Sequence, residues 1–259
     1  MNFFIEKKPE TELELKVSKL INLKLLKLKF VDQHNANNLN INIFENLTNY
    51  SIKKKYYPRY PWSLQRKLQF TLLDFLKDIF DLDQNAIDVA SENTNYLSYI
   101  GFNKSNSKCL DVSGSPDYKQ NIISDLINVP HFKYLFCLNY MVLAENPKKA
   151  IQNMYSIIKD DGLAIIGFGS LNYWVVNKEL IGWNSFTPAT IKVLTDKFFS
   201  ETLIIPIGNI YQVSINYYCK KFSVKSPFLG EILLKILSFW SCKNTDPTAA
   251  IEYIAICKK

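Results

Sequence analysis

The central part of the sequence contains two short apolar runs that each carry an acidic residue and continue into a polar turn. The first is Ala86-Ile87-Asp88-Val89 and the second is Cys109-Leu110-Asp111-Val112, so the two aspartates lie 23 positions apart. This separation is typical of one buried strand, a crossover and a second parallel strand. Because parallel strands end at the same edge of a sheet, the pattern predicts an α/β fold that gathers carboxylates at that edge.

Sequence signals on both sides extend this pattern into alternating helices and strands. Ser63 is a good N-cap for an amphipathic helix that ends near Phe80. Asn146-Pro147 and Thr187-Pro188 open two further helices, because proline is pre-set for the first helical position. Asp160-Asp161-Gly162 is predicted to end the first of these two. A short helix is predicted around 94–100, and apolar runs predict strands at 134–138, 163–167, 203–207 and 251–257.

The N-terminal quarter holds all of the excess positive charge. Residues 1–67 contain 13 Lys and Arg against 6 Asp and Glu, whereas the rest of the chain is balanced. Such a segment can bind nucleic acid, an anionic membrane or an acidic protein, or it can be a solvated lysine-rich face. Residues 53–62 interleave cations with aromatic rings, which suits single-stranded nucleic acid. Their two prolines favour an ordered linker instead, so nucleic acid is disfavoured and a protein partner stays open.

We therefore predict two parts, a basic N-terminal extension or cap at 1–62 and a main α/β domain at 63–259. Within the extension, residues 9–33 combine period-two and helical spacing of leucines, and periodicity leaves strand and helix open. The five cysteines form no Cys-x-x-Cys pair, which favours buried thiols in a reducing compartment. The sequence shows neither a secretory leader nor a run of about 18 apolar residues. A cytoplasmic protein without a transmembrane segment is the expectation.

From Ala86 onward the sequence resembles the class I S-adenosylmethionine-dependent methyltransferases, and most of all the branch found with surface-polysaccharide and glycolipid biosynthesis. Motifs similar to those of the family follow one another in the family's order. They are Asp88-Val89-Ala90, Asp111, Asp125-Leu126, Leu138 to Pro147, Ser156 to Leu163, and Trp183-Asn184-Ser185-Phe186-Thr187-Pro188.

The resemblance implies a Rossmann-like, doubly wound sheet of seven mostly parallel strands, with the last strand inserted antiparallel. It also implies S-adenosylmethionine as cofactor and a small molecule or sugar as methyl acceptor. The ribose hydroxyls would bind to Asp111, and the adenine would contact Asp125-Leu126. The full set of cofactor-binding positions is Asp88, Ala90, Asp111, Asp125, Leu126 and Asn139. Glu145 is the candidate base, and Tyr140 and Trp174 would line the acceptor pocket.

The sequence departs from the family at two places. Ala90-Ser91-Glu92-Asn93-Thr94 stands where the family has a glycine-rich turn, and Glu92 would bring a carboxylate near that of the cofactor. The family's Glu-His pair after the fourth strand is Ala144-Glu145 here. Asp111 and Asp125 could also be ordinary turn aspartates, and Glu145 a helix N-terminal acid.

Three functions therefore stay open. The first is a methyltransferase acting on a small molecule or sugar. The second is a protein of the same fold without catalytic activity that serves as a binding or scaffold subunit. The third, a nucleic-acid methyltransferase, is disfavoured because the Asn-Pro-Pro-Tyr type of motif is absent at Leu138-Asn139-Tyr140.

Overall fold

The computed structural model describes residues 11–27, 64–91, 95–170, 184–208 and 250–259. The helices are α1 Glu12–Lys27, α2 Leu64–Leu76 with a 3-10 turn at Lys77–Ile79, α3 Asn95–Ile100, α4 Pro147–Ser156 and α5 Pro188–Thr195. The strands are β1 Ala86–Val89, β2 Ser107–Asp111, β3 Tyr118–Lys119, β4 Phe132–Cys137, β5 Ile158–Gly169, β6 Glu201–Ile207 and β7 Glu252–Lys258.

The seven strands form one sheet in the order β3-β2-β1-β4-β5-β7-β6. The pairs β1–β2, β1–β4, β2–β3 and β4–β5 are parallel. Strands β6 and β7 run antiparallel, since the Ser200 N–H donates to the Lys258 carbonyl at 3.0 Å and the Ile251 N–H to the Ile207 carbonyl at 2.8 Å. The prediction of a seven-stranded, mostly parallel α/β sheet with the last strand inserted antiparallel is confirmed.

The helix starts predicted at Asn146-Pro147 and Thr187-Pro188 are confirmed by their capping hydrogen bonds, whereas the predicted N-cap Ser63 lies outside the described residues. Asn146 accepts from the Lys149 N–H at 3.0 Å, and Thr187 accepts from the Thr190 N–H at 3.2 Å. Residues 9–33, which the sequence left undecided, contain α1. That helix begins with a capping box, in which the Thr11 hydroxyl accepts from the Glu14 N–H at 3.1 Å while Glu14 accepts from the Thr11 N–H.

The predicted end of α4 was wrong. The helix stops at Ser156, and β5 already begins at Ile158, so Asp160-Asp161-Gly162 lies within the strand. The cause is pairing with β4: Phe132 pairs with Ile158, whereas Tyr134 pairs with Leu163, and the residues between them on β5 form a bulge.

Strand β3 was not located from the sequence. It has two residues, of which Tyr118 pairs with Leu110 and Lys119 with Asp111. A strand this short has no alternation that a pattern could reveal.

The chain divides into two compact units, residues 1–78 with 206–252 and residues 79–205 with 253–259. In the first unit α1 packs against α2, and Leu13 and Val17 on α1 are buried. In the second, the rings of Phe80, Tyr134 and Phe136 pack on one another with centroids 5.2–5.4 Å from that of Phe80. The division into an extension at 1–62 and a domain at 63–259 stays a prediction.

Two further expectations concern cysteines and membranes. The cysteines in the described ranges, Cys109, Cys137 and Cys257, are buried free thiols, as expected. No helix within those ranges is both long and apolar enough to cross a membrane.

Candidate functional site

The candidate site lies at the carboxyl ends of β2, β1 and β4, which are neighbours in the sheet. Asp88 is on β1, Asp111 is the last residue of β2, and Asn139 and Tyr140 follow β4. In α/β sheets of this kind, ligands bind outside the carboxyl ends of the strands. The fold therefore brings these four predicted residues to the edge where a ligand is expected.

Asp88 is the most unusual of these residues because it is a carboxyl group buried inside the sheet. Only 1% of it is exposed, and it pairs in register with Cys109 and Phe136. Neither carboxyl oxygen makes a hydrogen bond of standard geometry within the described ranges. Burial raises the pKa of Asp88 well above its ordinary value, and the charge of Asp111 raises it further. The Ser91 hydroxyl and the Tyr96 backbone are near enough to lower that pKa in part.

Ala90 forms the turn directly after β1. Its φ is 56°, in the left-handed region that favours glycine, and its N–H donates to the Leu110 carbonyl at 2.7 Å. A non-glycine residue in this conformation costs about 1–2 kcal/mol. A turn of this shape is one that glycine adopts without strain, and here alanine occupies it. Residues 92–94, including Glu92, lie outside the described ranges.

Asp111 is the last residue of β2, and within the described ranges only one of its two carboxylate oxygens accepts hydrogen bonds. Its Oδ1 accepts from the Val112 N–H at 2.6 Å, the Ser113 N–H at 3.0 Å and the Ser113 hydroxyl at 3.1 Å. This turn fixes the carboxylate, and its Oδ2 makes no hydrogen bond within the described ranges. The next side chain, Val112, is 56% exposed. A rigid acceptor atom and an apolar surface therefore stand side by side.

Asp125 and Leu126 lie in an exposed turn beyond the end of β3. The Asp125 carboxylate is fully exposed and lies 3.6 Å from the Lys149 ammonium on α4. Leu126 is 78% exposed. An exposed ion pair of this kind contributes little stability. The turn is held instead by the buried Asn153 on α4, whose amide donates to the Ile122 carbonyl at 2.6 Å and the Ser124 carbonyl at 2.8 Å.

The loop after β4 is tied to two other elements by side-chain hydrogen bonds. The Asn139 amide donates to the Tyr96 hydroxyl on α3 at 2.7 Å, and the Tyr140 hydroxyl donates to the Asn121 Oδ1 at 3.4 Å. Sequence reasoning missed Tyr96 and Asn121, which belong to no motif. Polar residues in loops are common, so no sequence signal distinguishes them.

Tyr140 is held as a neutral phenol. Burial raises its pKa to about 12, with further contributions from Cys137, Glu145 and Asp111. At neutral pH this side chain is therefore a hydrogen-bond donor and not a base.

Glu145 is exposed and directly precedes the N-cap of α4. The loop that carries it is fixed by Asn184, whose amide donates to the Ala144 carbonyl at 2.6 Å and whose N–H donates to the Val142 carbonyl at 3.2 Å. Asn184 is the first described residue of the segment Trp183 to Pro188. Sequence reasoning gave it no role. Trp174, predicted to line the acceptor pocket, lies outside the described ranges.

The sequence matches no protein-family model and no curated protein. Solved structures with a similar fold include a SAM dependent methyltransferase from Archaeoglobus fulgidus, 14% identical over 75% of this chain and 94% of that one, with a TM-score of 0.48. Coclaurine N-methyltransferase bound to N-methylheliamine and SAH is 11% identical over 98% and 89%, with a TM-score of 0.46. MccD protein is 11% identical over 72% and 96%, with a TM-score of 0.46. At such identities and TM-scores, these similarities assign neither a substrate nor an activity.

Proposed function

We propose that the chain is an S-adenosylmethionine-dependent methyltransferase that acts on a small molecule or a sugar in surface-polysaccharide biosynthesis. The observation that carries the proposal is Asp111, whose Oδ1 is fixed by a turn and whose Oδ2 makes no hydrogen bond to a described residue. Asp111 lies beside the left-handed turn at Ala90, which follows the adjacent parallel strand. The strand order, with β7 between β5 and β6, is the one that the family resemblance implies. The polysaccharide role rests on the segment Trp183 to Pro188.

The residues present fit this cofactor. Asp111 offers an acceptor to ribose hydroxyls, Val112 offers apolar surface to a flat ring, and Asp88 is a buried acid without a hydrogen-bond partner in the described ranges. Asn139, Asp125 and Leu126 complete the set of proposed cofactor contacts. When bound, S-adenosylmethionine supplies a methyl group on a positively charged sulfur.

The chain's own contribution to methyl transfer would be positioning and proton removal. We assign Glu145 as the base that accepts the proton of an acceptor hydroxyl. Tyr140, neutral at physiological pH because its pKa is about 12, would donate a hydrogen bond to the acceptor. Asn184 would keep the Glu145 loop in place through its hydrogen bonds to the carbonyls of Met141, Val142 and Ala144. Trp174 completes the proposed acceptor pocket.

The first experiment is a calorimetric titration of the purified protein with S-adenosylmethionine and S-adenosylhomocysteine. Asp111→Ala should weaken binding about tenfold to a hundredfold, because a charge-assisted hydrogen bond contributes about 1.5–3 kcal/mol. The matched control is Asp160→Ala, which removes an exposed carboxylate near the start of β5, at the opposite ends of the strands. It should leave the affinity unchanged. Equal loss in both variants would exclude Asp111 as a ribose ligand.

A second function, a binding or scaffold subunit without catalysis, is favoured by the glycine-free turn at Ala90 to Thr94. Glu92→Gly separates the two functions, since it removes a like charge and restores backbone freedom. No binding by the wild type at millimolar cofactor, together with binding by Glu92→Gly, would favour the scaffold. No binding by either protein would remove the cofactor from the proposal.

A further inference from the structure

Asp88 shares one face of the sheet with the residues that pair with it. Side chains at paired positions of parallel strands project to the same side, and residues two apart on a strand do so as well. Asp88, Cys109, Asp111 and Phe136 therefore point to one face. On that face the Asp88 carboxyl is 1% exposed and makes no standard hydrogen bond within the described ranges.

Among the residues that the structure describes, the groups that act on Asp88 include no cation. On β2 these groups are Asp111 and Cys109, and after the turn the Ser91 hydroxyl. On β4, Tyr134 and Phe136 are the nearest residues of the same face. The backbone of Tyr96 contributes from α3. Asp111 repels a negative charge at Asp88, and the neighbouring aromatic rings do not stabilise a carboxylate. A buried carboxylate without a partner is strongly unfavourable, so the neutral acid is the stable form.

We propose that Asp88 is a neutral carboxyl in the ligand-free protein and that it gives up its proton when a ligand bearing an ammonium group binds at the turn after β1. The O–H bond of the carboxyl breaks, the proton passes to solvent, and the ligand's positive charge replaces it, so the charge of the site is conserved. This inference rests on the proposed function, because the methionine part of the cofactor carries such an ammonium group.

Proton release makes binding depend on pH in a defined direction. Between about pH 5 and 7 the ligand's ammonium stays charged, since α-amino groups titrate near 7.7–8.0. In that range the affinity for S-adenosylhomocysteine should rise with pH by up to about tenfold per unit, and at most one proton should be released per ligand. The neutral variant Asp88→Asn has no proton to release, so its affinity should be flat over this range.

The test is calorimetric titration of the full chain in buffers of different ionisation enthalpy. S-adenosylhomocysteine should release a proton, whereas 5′-methylthioadenosine, which has the nucleoside and thioether without the ammonium and carboxylate, should release none. Equal release by both ligands, or none by either while both bind, would overturn the inference and leave the proposed function standing. The proposed function would be overturned if none of the three compounds, S-adenosylhomocysteine, 5′-methylthioadenosine and S-adenosylmethionine, binds.

The ligand-free protein gives an independent readout. At neutral pH the infrared difference spectrum between the wild type and Asp88→Asn should contain the carbonyl stretch of one protonated carboxyl, because the band of the protonated Glu252 is common to both proteins and cancels. Should that variant fail to fold, Asp111→Asn provides the second test. Removing the like charge eases ionisation of Asp88, so the protonated band should disappear at a lower pH than in the wild type. A difference spectrum without this band, or a band whose disappearance with pH is the same in Asp111→Asn as in the wild type, would show that Asp88 is already ionised or not coupled to Asp111.

Discussion

Asp88 and Ala90 are two positions apart, and each adopts a state that costs free energy. Asp88 places a carboxyl group inside the sheet without a standard hydrogen bond in the described ranges, and Ala90 holds a backbone conformation that an L-residue rarely adopts. Such outliers persist only where the surrounding structure imposes them, and they concentrate at functional sites. Their position at the end of β1, beside Asp111, is consistent with a ligand site at this edge.

The first residue-scale prediction concerns Ala90→Gly. Glycine adopts positive φ without a Cβ penalty, so the substitution should raise the free energy of unfolding by about 1 kcal/mol, measured by urea denaturation. The control is Ala150→Gly in α4, where φ is negative and the residue is buried. That change should lower the free energy of unfolding by about 0.5–1 kcal/mol. Destabilisation by both substitutions would contradict the strain argument.

At the scale of elements, capping and short side-chain links decide how the functional loops are placed. Asn146 and Thr187 start α4 and α5, and Asn184 fixes the loop that carries Glu145. Phe186, in the same segment, packs edge-on against Phe168 of β5 with ring centroids 5.1 Å apart. The segment from Asn184 to Thr187 thus fixes the loop of the proposed base Glu145, packs on β5 and starts α5.

Glu252 at the start of β7 links that strand to α2 within the first unit. Its Oε2 accepts from the side-chain amides of Gln65 at 3.1 Å and Gln69 at 2.7 Å, and all three residues are buried. Burial raises the pKa of Glu252 to about 8, although both hydrogen bonds act to lower it. The folded protein therefore holds a proton on Glu252 at neutral pH that the unfolded chain releases.

The prediction at this scale is a stability that falls with rising pH. Because the folded pKa is raised above the ordinary 4.5, the contribution of Glu252 is complete below pH 4.5 and is lost as the pH rises to about 8. The loss is at most about 1.4 kcal/mol per pH unit. Glu252→Gln, which is neutral at every pH, should remove this slope in urea denaturation series. Identical slopes in the variant and the wild type would show that Glu252 is ionised in the folded protein.

For the whole molecule, the prediction concerns residues 1–62. Helix α1 buries Leu13 and Val17 and packs against α2, so removing the extension exposes apolar surface on α2. Residues 63–259 should therefore melt at a lower temperature than the full chain, since burying one such side chain contributes about 1.5–3 kcal/mol. Val17→Ala in the full chain should shift the melting temperature in the same direction by less. A truncation as stable as the full chain would show that the extension is peripheral and would favour a role in binding a partner.

The sequence by itself determined the features that depend on neighbouring residues. The apolar runs ending in Asp88 and Asp111 predicted two parallel strands with acids near their carboxyl ends, because burial and the turn are both local. Asn146-Pro147 and Thr187-Pro188 predicted two helix starts for the same reason. The family resemblance added the number of strands and the antiparallel insertion of the last one, which no local pattern contains.

Tertiary structure alone decided the features that depend on distant partners. Pairing with β4 started β5 at Ile158, and the hydrogen bond from Gln65 on α2 joined two buried residues that are far apart in the sequence, Gln65 and Glu252. The turn at Ala90 takes positive φ although alanine disfavours it, and its N–H bonds to Leu110 on the next strand. A sequence pattern records the preference of each residue, whereas these outcomes follow from hydrogen bonds and burial supplied by residues far away in the chain. The tertiary structure therefore gave the candidate site its geometry at residues whose identity the sequence had already indicated.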